Sequence, residues 1–514
     1  MLENNFFIFV QVFKHVINKY FTLLNTKQNS IIKNLNFKSF TMHKNILLIL
    51  TFISVSFSQN FETYFLNTSM RVDYFHTGTK DTESFSIDKI YEEKFFAGNK
   101  NNLIDNLNLG EYLFQIFDAK TNTLIFSKGF SSIFQEWQTT DEAINGNEKT
   151  FHETIRFPFP KDKILLTISR RNKFVGDGNI MQFGEIFSTS IDPNSNVSKN
   201  IETKNQSFEI FKNGNPNSKV DIVIIGDGYS NLDKEKFLQD ANRFANSLFA
   251  TYPFSKHKDK FNIIAVETIS ENSGIDKPDK EIFKNTILGT TYNFFGSARY
   301  VLSENNKSIY DAVQLVPYDA IAILVNDDRY GGGGIYNLYT TCYTKTDNPE
   351  MEWQMDYVFV HEFGHSFAGL GDEYYSSQVS YNDFYKKNVE PWEPNITQNT
   401  NRQTLKWKNF INDDTPIPTL WKKNEYDSLG KERSKLNRLA NDYYEKRKPL
   451  YEREQEILKT SKYKNEVGLF EGAGYISNGM YRPSIDCRMF SLSLVDFDAV
   501  CSKAIEETID FYTK

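Results

Sequence analysis

Two histidines and a glutamate carry the chemistry that this sequence offers most directly. They form His361-Glu362-x-x-His365, within the stretch Trp353 to Tyr375, WQMDYVFVHEFGHSFAGLGDEYY. On an α-helix, residues four apart lie about one turn apart on one face, so both imidazoles can converge on a single Zn2+ at about 2.0–2.1 Å. Glu362 then projects beside the same ion, where it can take a proton from a water whose pKa the metal lowers towards about 7. The chemistry implied is metal-assisted hydrolysis of a peptide bond. The alternative is a chance register of these residues on an amphipathic helix, and a chain with only 7 His in 514 residues makes such coincidences rare. The apolar run Tyr357-Val358-Phe359-Val360 leads straight into the motif, as expected for a helix buried along one side.

A third ligand must come from beyond this helix. If the helix continued, residue 372 would lie roughly 16 Å along the axis from His361, far out of reach. Gly369 and Gly371 offer a reversal, because glycine takes positive φ at little cost. Two acids follow, Asp372 and Glu373, and adjacent side chains in a turn point apart, so one coordinates and the other supports the turn or the ligand. Asp372 is the expected ligand because it most nearly matches the acid of the metzincin pattern HExxHxxGxxH or HExxHxxGxxD. Here glycine and acid each arrive one residue late. No histidine follows His365, and His257 is the only other one in the protease half.

The sequence HEFGHSFAGLGDEYY, with GAGYISNGMYRPSIDCRM downstream, resembles the bacterial IgA-peptidase-type zinc metallopeptidases. The similarity runs from about residue 70 to the C-terminus: RVDYFHTG, FSSIFQEWQTT and FHETIRFPFPK resemble the domain that precedes the protease in that family. The resemblance implies a zinc peptidase acting on a peptide or protein. It also implies that Met489, in Cys487-Arg488-Met489, forms the methionine turn under the metal, with Met480 left to core packing. IgA cleavage does not follow from the family name. Tyr481 and Arg482 are candidates to orient a scissile carbonyl or stabilise its oxyanion.

The elements that must position these residues suggest an α+β, multidomain chain: an N-terminal antiparallel β-sandwich over 59–191, a linker over 192–218, and a metzincin-like α/β zinc protease domain over 219–514. YLFQIFD and TLIFSKGF read as a hairpin, and FHETIRFPF and KILLTISRR continue the β series. The segment 192–218 is rich in Asn, Ser, Lys and Pro. From Val220, buried strands (VDIVIIGDG, FNIIAVET, YDAIAILVND) alternate with helical spacing in FLQDANRFANSLF, which predicts a mostly parallel sheet. Gly226-Asp227-Gly228 lacks a phosphate-loop pattern and reads as a tight turn. The four glycines 331–334 suit either an edge that pairs with an extended substrate or a plain loop. Residues 430–465 read as a charged helical run interrupted at Pro449. The end, FDAVCSKAIEETIDFYTK, reads as a helix docked through Phe497, Val500, Ala504 and Ile505.

Residues 42–58 carry Met42-His43-Lys44, the apolar ILLILTFISV and Ser56-Phe57-Ser58, the layout of a cleaved signal peptide, with 1–41 as an upstream extension. Export to the periplasm, cell surface or medium is expected, without stable membrane insertion. Lys14, His15 and Lys19 interrupt the rival span from Phe6 to Leu24. The chain carries 59 basic and 66 acidic residues, a net charge of −7, which argues against nucleic acid. Export permits a Cys487–Cys501 disulfide, leaving Cys342 free and buried. His76 and His152, on strands, read as structural. Two rivals to a peptidase are an adhesin or glycan-binding protein with a vestigial protease domain, and a zinc amidase acting on cell-wall peptides.

Overall fold

The computed structural model describes residues 60–174, 181–198, 205–375, 384–436 and 442–514. The expected signal peptide and upstream extension lie outside them. Residues 59–514 form one compact unit.

The N-terminal part contains β1 (Phe65–Gly78), β2 (Glu83–Glu93), β3 (Tyr112–Asp118), β4 (Leu124–Phe130), β5 (Lys149–Pro160), β6 (Ile164–Phe174), β7 (Met181–Ile191) and β8 (Val197–Ser198). They make two four-stranded sheets, β5-β1-β2-β8 and β4-β3-β6-β7, antiparallel except for the β2–β8 pair. The hairpin read from sequence is β3–β4, turned at Asn122 in the left-handed region. Alternating residues such as Val72 and Tyr74 from one sheet and Phe114, Ile116, Leu166 and Ile168 from the other share one core.

The second part is built on a six-stranded sheet. Its strands are β9 (Ser207–Phe211), β10 (Val220–Asp227), β11 (Phe261–Val266), β14 (Ala320–Val325), β15 (Gly332–Ile335) and β16 (Tyr339–Tyr343), with the small pair β12 (Thr290–Thr291) and β13 (Leu302–Ser303) to one side. The order is β15-β16-β14-β10-β11-β9. The central four strands are parallel and the two edges antiparallel. Its main helices are α1 (Lys234–Ala250), α2 (Asn306–Val313), α3 (Glu352–Ala368), α4 (Lys423–Ser434), α5 (Tyr443–Lys459) and α6 (Ala499–Thr513). A hairpin of β17 (Phe470–Ala473) and β18 (Ile476–Arg482) precedes α6.

Period-two alternation along the fully buried β10 divides its two faces. Ile222 and Ile224 pack with Phe244 of α1, Phe359 of α3 and Ile505 of α6. Val223 and Ile225 pack with Ile309 and Val313 of α2, and also with Phe134 and Trp137 of the N-terminal part. The two parts therefore share a core. Partly buried polar contacts reinforce the seam: the Arg71 guanidinium donates to Asp311, 2.7 Å, and Asn337 Nδ2 to the Gly129 carbonyl, 2.7 Å.

Two expectations need correction. Segment 192–218 is not a bare linker, since it supplies β8 to one sheet and β9 to another. Pro449 does not interrupt the charged run, because α5 passes through it. Proline there forgoes one backbone bond while the helix stays anchored elsewhere, through Ile457 and Leu458 in the core.

Candidate metal centre and active site

Helix α3 is the keystone. It lies against β15 and β16 on one side and α1 and α6 on another, and Tyr357 through His361 are all buried. Gly369, at φ 61°, ends it in the left-handed conformation; its N–H donates to the His365 carbonyl (3.0 Å) and Leu370 N–H to the Gly364 carbonyl (3.3 Å). Only Gly369 of the two turn glycines has positive φ. Gly371 is needed for closeness instead, because a Cβ there would meet Ile396 Cδ1 at 2.8 Å.

The glycine run is explained in the same way. A Cβ on Gly334 would lie 2.2 Å from the Glu362 carbonyl oxygen, and one on Gly332 would lie 2.8 Å from Val358 Cγ1. Glycine lets an edge strand approach the backbone of α3. The outer side of β15 is already engaged at its start, where Gly332 N–H donates to the Arg299 carbonyl and Val301 N–H to the Gly332 carbonyl. Close packing, rather than an open pairing edge, accounts for these glycines.

The reversal after α3 brings Asp372 to both imidazoles. Its Oδ1 is 3.0 Å from His361 Nε2 and 3.3 Å from His365 Nε2, and the two Nε2 atoms are 3.2 Å apart. The far ring nitrogens fix the tautomers. His361 Nδ1–H donates to the Arg488 carbonyl (3.0 Å), a site shared with the Tyr357 hydroxyl, and His365 Nδ1–H donates to the Leu370 carbonyl (2.5 Å). In the neutral rings both Nε2 atoms are then bare lone pairs. They face a carboxylate oxygen that is buried and lacks a hydrogen-bond donor. Three acceptors converging on one point call for a cation. Their separations match the edges of a tetrahedron of about 3.3 Å set by nitrogen and oxygen ligands at about 2.0–2.1 Å. His361, His365 and Asp372 thus fit a metal ion.

The same groups also act on one another electrostatically. Burial alone would lower the His365 imidazole, but Asp372 and Glu362 hold it up at about 9. Burial would raise Asp372, yet the two imidazoles hold it well below the usual carboxylate range. Burial pushes Glu362 up against the pull of His361, His365 and Arg299. His361, Glu362 and His365 form a group able to hold a metal.

The remaining candidates divide. Met489 is fully buried beneath α3, and a Cβ on Gly364 would meet its sulfur at 3.2 Å. Met480 packs apart, with Ile396 and Ala473. Arg482 is not an oxyanion residue: it is wholly buried, donates to the Gly472 carbonyl (2.6 Å) and stacks on Phe490. Tyr481 pairs through its backbone with Thr397 and packs beside Leu405 and Trp407. Both lie in the hairpin framework. The predicted disulfide is also absent: Cys487 and Cys501 are free thiols with sulfurs 3.7 Å apart, far beyond a bond of about 2.05 Å. His257 pairs with Glu506, and His76 sits between Glu153 and Glu83. Cys342 is buried, as expected.

The structure adds residues that the spacing did not indicate. The Tyr475 hydroxyl donates to Asp372 Oδ2, from a backbone at φ 64° in the β17–β18 turn. Tyr374 stacks on the His361 ring, and Arg299 lies over Tyr374. The signal for Tyr475 was the Gly-Ala-Gly-Tyr turn itself, where Gly474 N–H donates to the Asp372 carbonyl (2.8 Å) and Tyr475 N–H to that of Tyr374 (3.0 Å).

Compared with known proteins, residues 208–509 match the family described as IgA Peptidase M64, and residues 60–177 match the Peptidase M64 N-terminus. No curated protein matches the chain.

Proposed function

Because the chain belongs to the IgA peptidase M64 family, we propose that it is an exported, zinc-dependent endopeptidase that cuts peptide or protein substrates. Its two N-terminal sheets are read as a β-sandwich and its second part as a metzincin-like protease. One observation carries the reading: three lone-pair donors, His361 Nε2, His365 Nε2 and Asp372 Oδ1, converge within 3.0–3.3 Å of one another, one residue from the carboxylate of Glu362.

Zinc held there would polarise the scissile carbonyl and acidify the attacking water. Glu362 takes the proton as general base and returns it to the leaving amine. Its burial favours that second role by raising its affinity for the proton. The Arg488 and Leu370 carbonyls keep the imidazoles aimed, and the Tyr475 hydroxyl fixes the carboxylate of Asp372. Among the described residues no helix is long and apolar enough to cross a membrane.

The test is a mixed peptide library incubated with zinc-loaded protein and read by mass spectrometry. Internal cleavage that stops with chelator is expected, and a library left intact overturns the endopeptidase reading. Intact-mass analysis of the exported chain should place its start near Gln59; a product retaining 1–41 overturns signal cleavage.

A further inference from the structure

Asp372 turns towards the imidazoles, and its neighbour Glu373 turns towards a different group. We propose that Glu373, Cys487, Asp498 and Cys501 form a second metal site, a structural zinc site with two thiolate and two carboxylate ligands, separate from the catalytic one.

The first support is convergence. One ligand-type atom from each of the four lies within 4.8 Å of all the others. The two sulfurs are 3.7 Å apart, and Cys501 Sγ is 3.3 Å from Glu373 Oε1. Zinc–sulfur bonds of about 2.3 Å at a tetrahedral angle place two thiolates about 3.8 Å apart, and a thiolate and a carboxylate oxygen about 3.5 Å apart. The thiols therefore stand at the spacing of shared ligands and not of a disulfide.

The second support is an unmet need for positive charge. Glu373, Cys487 and Cys501 are wholly inaccessible to solvent. Glu373 Oε2 and Asp498 Oδ2 are buried without any hydrogen-bond donor. Leaving carboxylate oxygens bare in the interior is costly unless a cation meets them. The nearby Arg482 turns its terminal nitrogens to the Gly472 and Ile485 carbonyls; its Nε is buried without a partner, and its charge offsets only part of what burial does to Glu373. Softness selects the ion, since thiolates favour zinc over calcium or magnesium.

Burial pushes both thiols up, so an ion is what would hold them as thiolates, and the surroundings supply backbone donors to one of them. Met489 N–H and Asp498 N–H both point at Cys487 Sγ (3.5 and 3.4 Å), and Asp498 Oδ1 caps α6 by accepting from Val500 and Cys501 N–H (2.7 and 3.0 Å). Asn395 Nδ2 donates to Glu373 Oε1 (2.9 Å). The four ligands come from the acid turn, the methionine turn and the start of α6. An ion there would staple together the three elements that floor the catalytic centre.

The test uses the purified protein under reducing conditions, loaded with zinc alone and, in parallel, with cobalt. Two zinc ions per chain are expected, with sulfur neighbours at about 2.3 Å by X-ray absorption and a thiolate-to-cobalt charge-transfer band. A variant carrying His361→Ala and His365→Ala should keep one zinc and the sulfur signal. A variant carrying Cys487→Ser and Cys501→Ser should keep one zinc bound only by nitrogen and oxygen. The wild-type spectra decide the matter even if the cysteine variant does not fold. One zinc per chain without sulfur ligands, or a Cys487–Cys501 disulfide in the zinc-loaded protein, overturns the proposal. Either result leaves the catalytic reading standing, because that depends on library cleavage.

Discussion

Replacing Gly334 by alanine tests whether the glycine strand positions the catalytic helix. The new Cβ would stand 2.2 Å from the Glu362 carbonyl oxygen and 3.0 Å from His365 Cβ, where ordinary contact begins near 3.4 Å. The obstacle is backbone on both sides, so no side-chain rotation relieves it, and β15 or α3 must move by about 1 Å. Overpacking of this kind costs about 1–3 kcal/mol, with the upper end expected for two backbones in conflict. A shift of about 1 Å in a group that must meet substrate costs about 10²-fold in rate. Gly334→Ala should therefore lower kcat/KM on a library-derived fluorogenic peptide by about 10²-fold and lower Tm by several degrees. Gly430→Ala is the control: it sits in α4 with nothing within 4 Å, and alanine there should stabilise by about 0.5–1 kcal/mol. Native kcat/KM and Tm for Gly334→Ala would refute the packing argument, whatever the control does.

Glu362→Gln should keep its metal and fold while turnover falls by about 10²-fold or more, the scale of a lost general base; native turnover in zinc-loaded variant protein would contradict the mechanism. Asp372→Ala should bind zinc at least about 10²-fold more weakly in a chelator competition, whereas His257→Ala, whose ring pairs with Glu506, should match wild type; equal affinity for all three proteins would remove Asp372 from the ligand set. Catalytic-site zinc affinity should fall about tenfold for each pH unit below about 9, because a metal-free His365 held at about 9 must release its proton to bind; calorimetry in buffers of different ionisation enthalpy would count that proton, and a pH-independent affinity would exclude it. In the N-terminal part, Glu153 and Glu83 outweigh burial to raise His76, so its contribution to stability is complete below about 6.5 and lost as pH rises through the elevated value. Glu83, lowered to about 2, contributes above about 4.5 and loses that contribution as pH falls towards 2. The Tm difference between wild type and His76→Gln should thus be largest near pH 5–6 and shrink on the alkaline side; a difference constant from pH 5 to 9 would refute the linkage.

What could be read from the sequence was whatever local periodicity or spacing encodes. The imidazole pair needs only one helical turn. The β3–β4 hairpin needs alternation around a turn, and α1 and α6 need apolar residues such as Phe244 and Ile505 on one face. The failures share another cause, dependence on partners that no local pattern reveals. Arg482 looked available for catalysis because nothing local shows that Phe490 and the Gly472 carbonyl enclose it. Cys487 and Cys501 looked like a disulfide because spacing does not show that Glu373, more than a hundred residues upstream, shares their pocket. Segment 192–218 looked like a linker because its polar composition hides β9, which gains its place from pairing with β11. The Gly-Ala-Gly-Tyr turn marked Tyr475 in the sequence, but its contact to Asp372, about a hundred residues upstream, did not show.

The late arrival of the acid in this motif also has a structural meaning. A turn must do two things at once: end α3 and return a carboxylate to the imidazoles. Gly369 does the first by closing onto the His365 carbonyl. The next residue, Leu370, then offers its own carbonyl to His365 Nδ1, so the turn itself orients the ring it has just passed. Gly371 is gripped from both sides by Asn395, whose Oδ1 accepts its N–H (2.7 Å) and whose Nδ2 donates to its carbonyl (2.9 Å). That clamp sets the direction in which Asp372 leaves. The Glu373 N–H then donates to the Met489 carbonyl (2.9 Å), tying the acid turn to the segment around Met489. The extra residue thus accommodates a loop that positions the His365 ring with its backbone and presents the Asp372 side chain to it. In this chain the acid's separation from His365 is fixed by that backbone circuit, and Asn395 is as much a part of it as the glycines that announce it in the sequence.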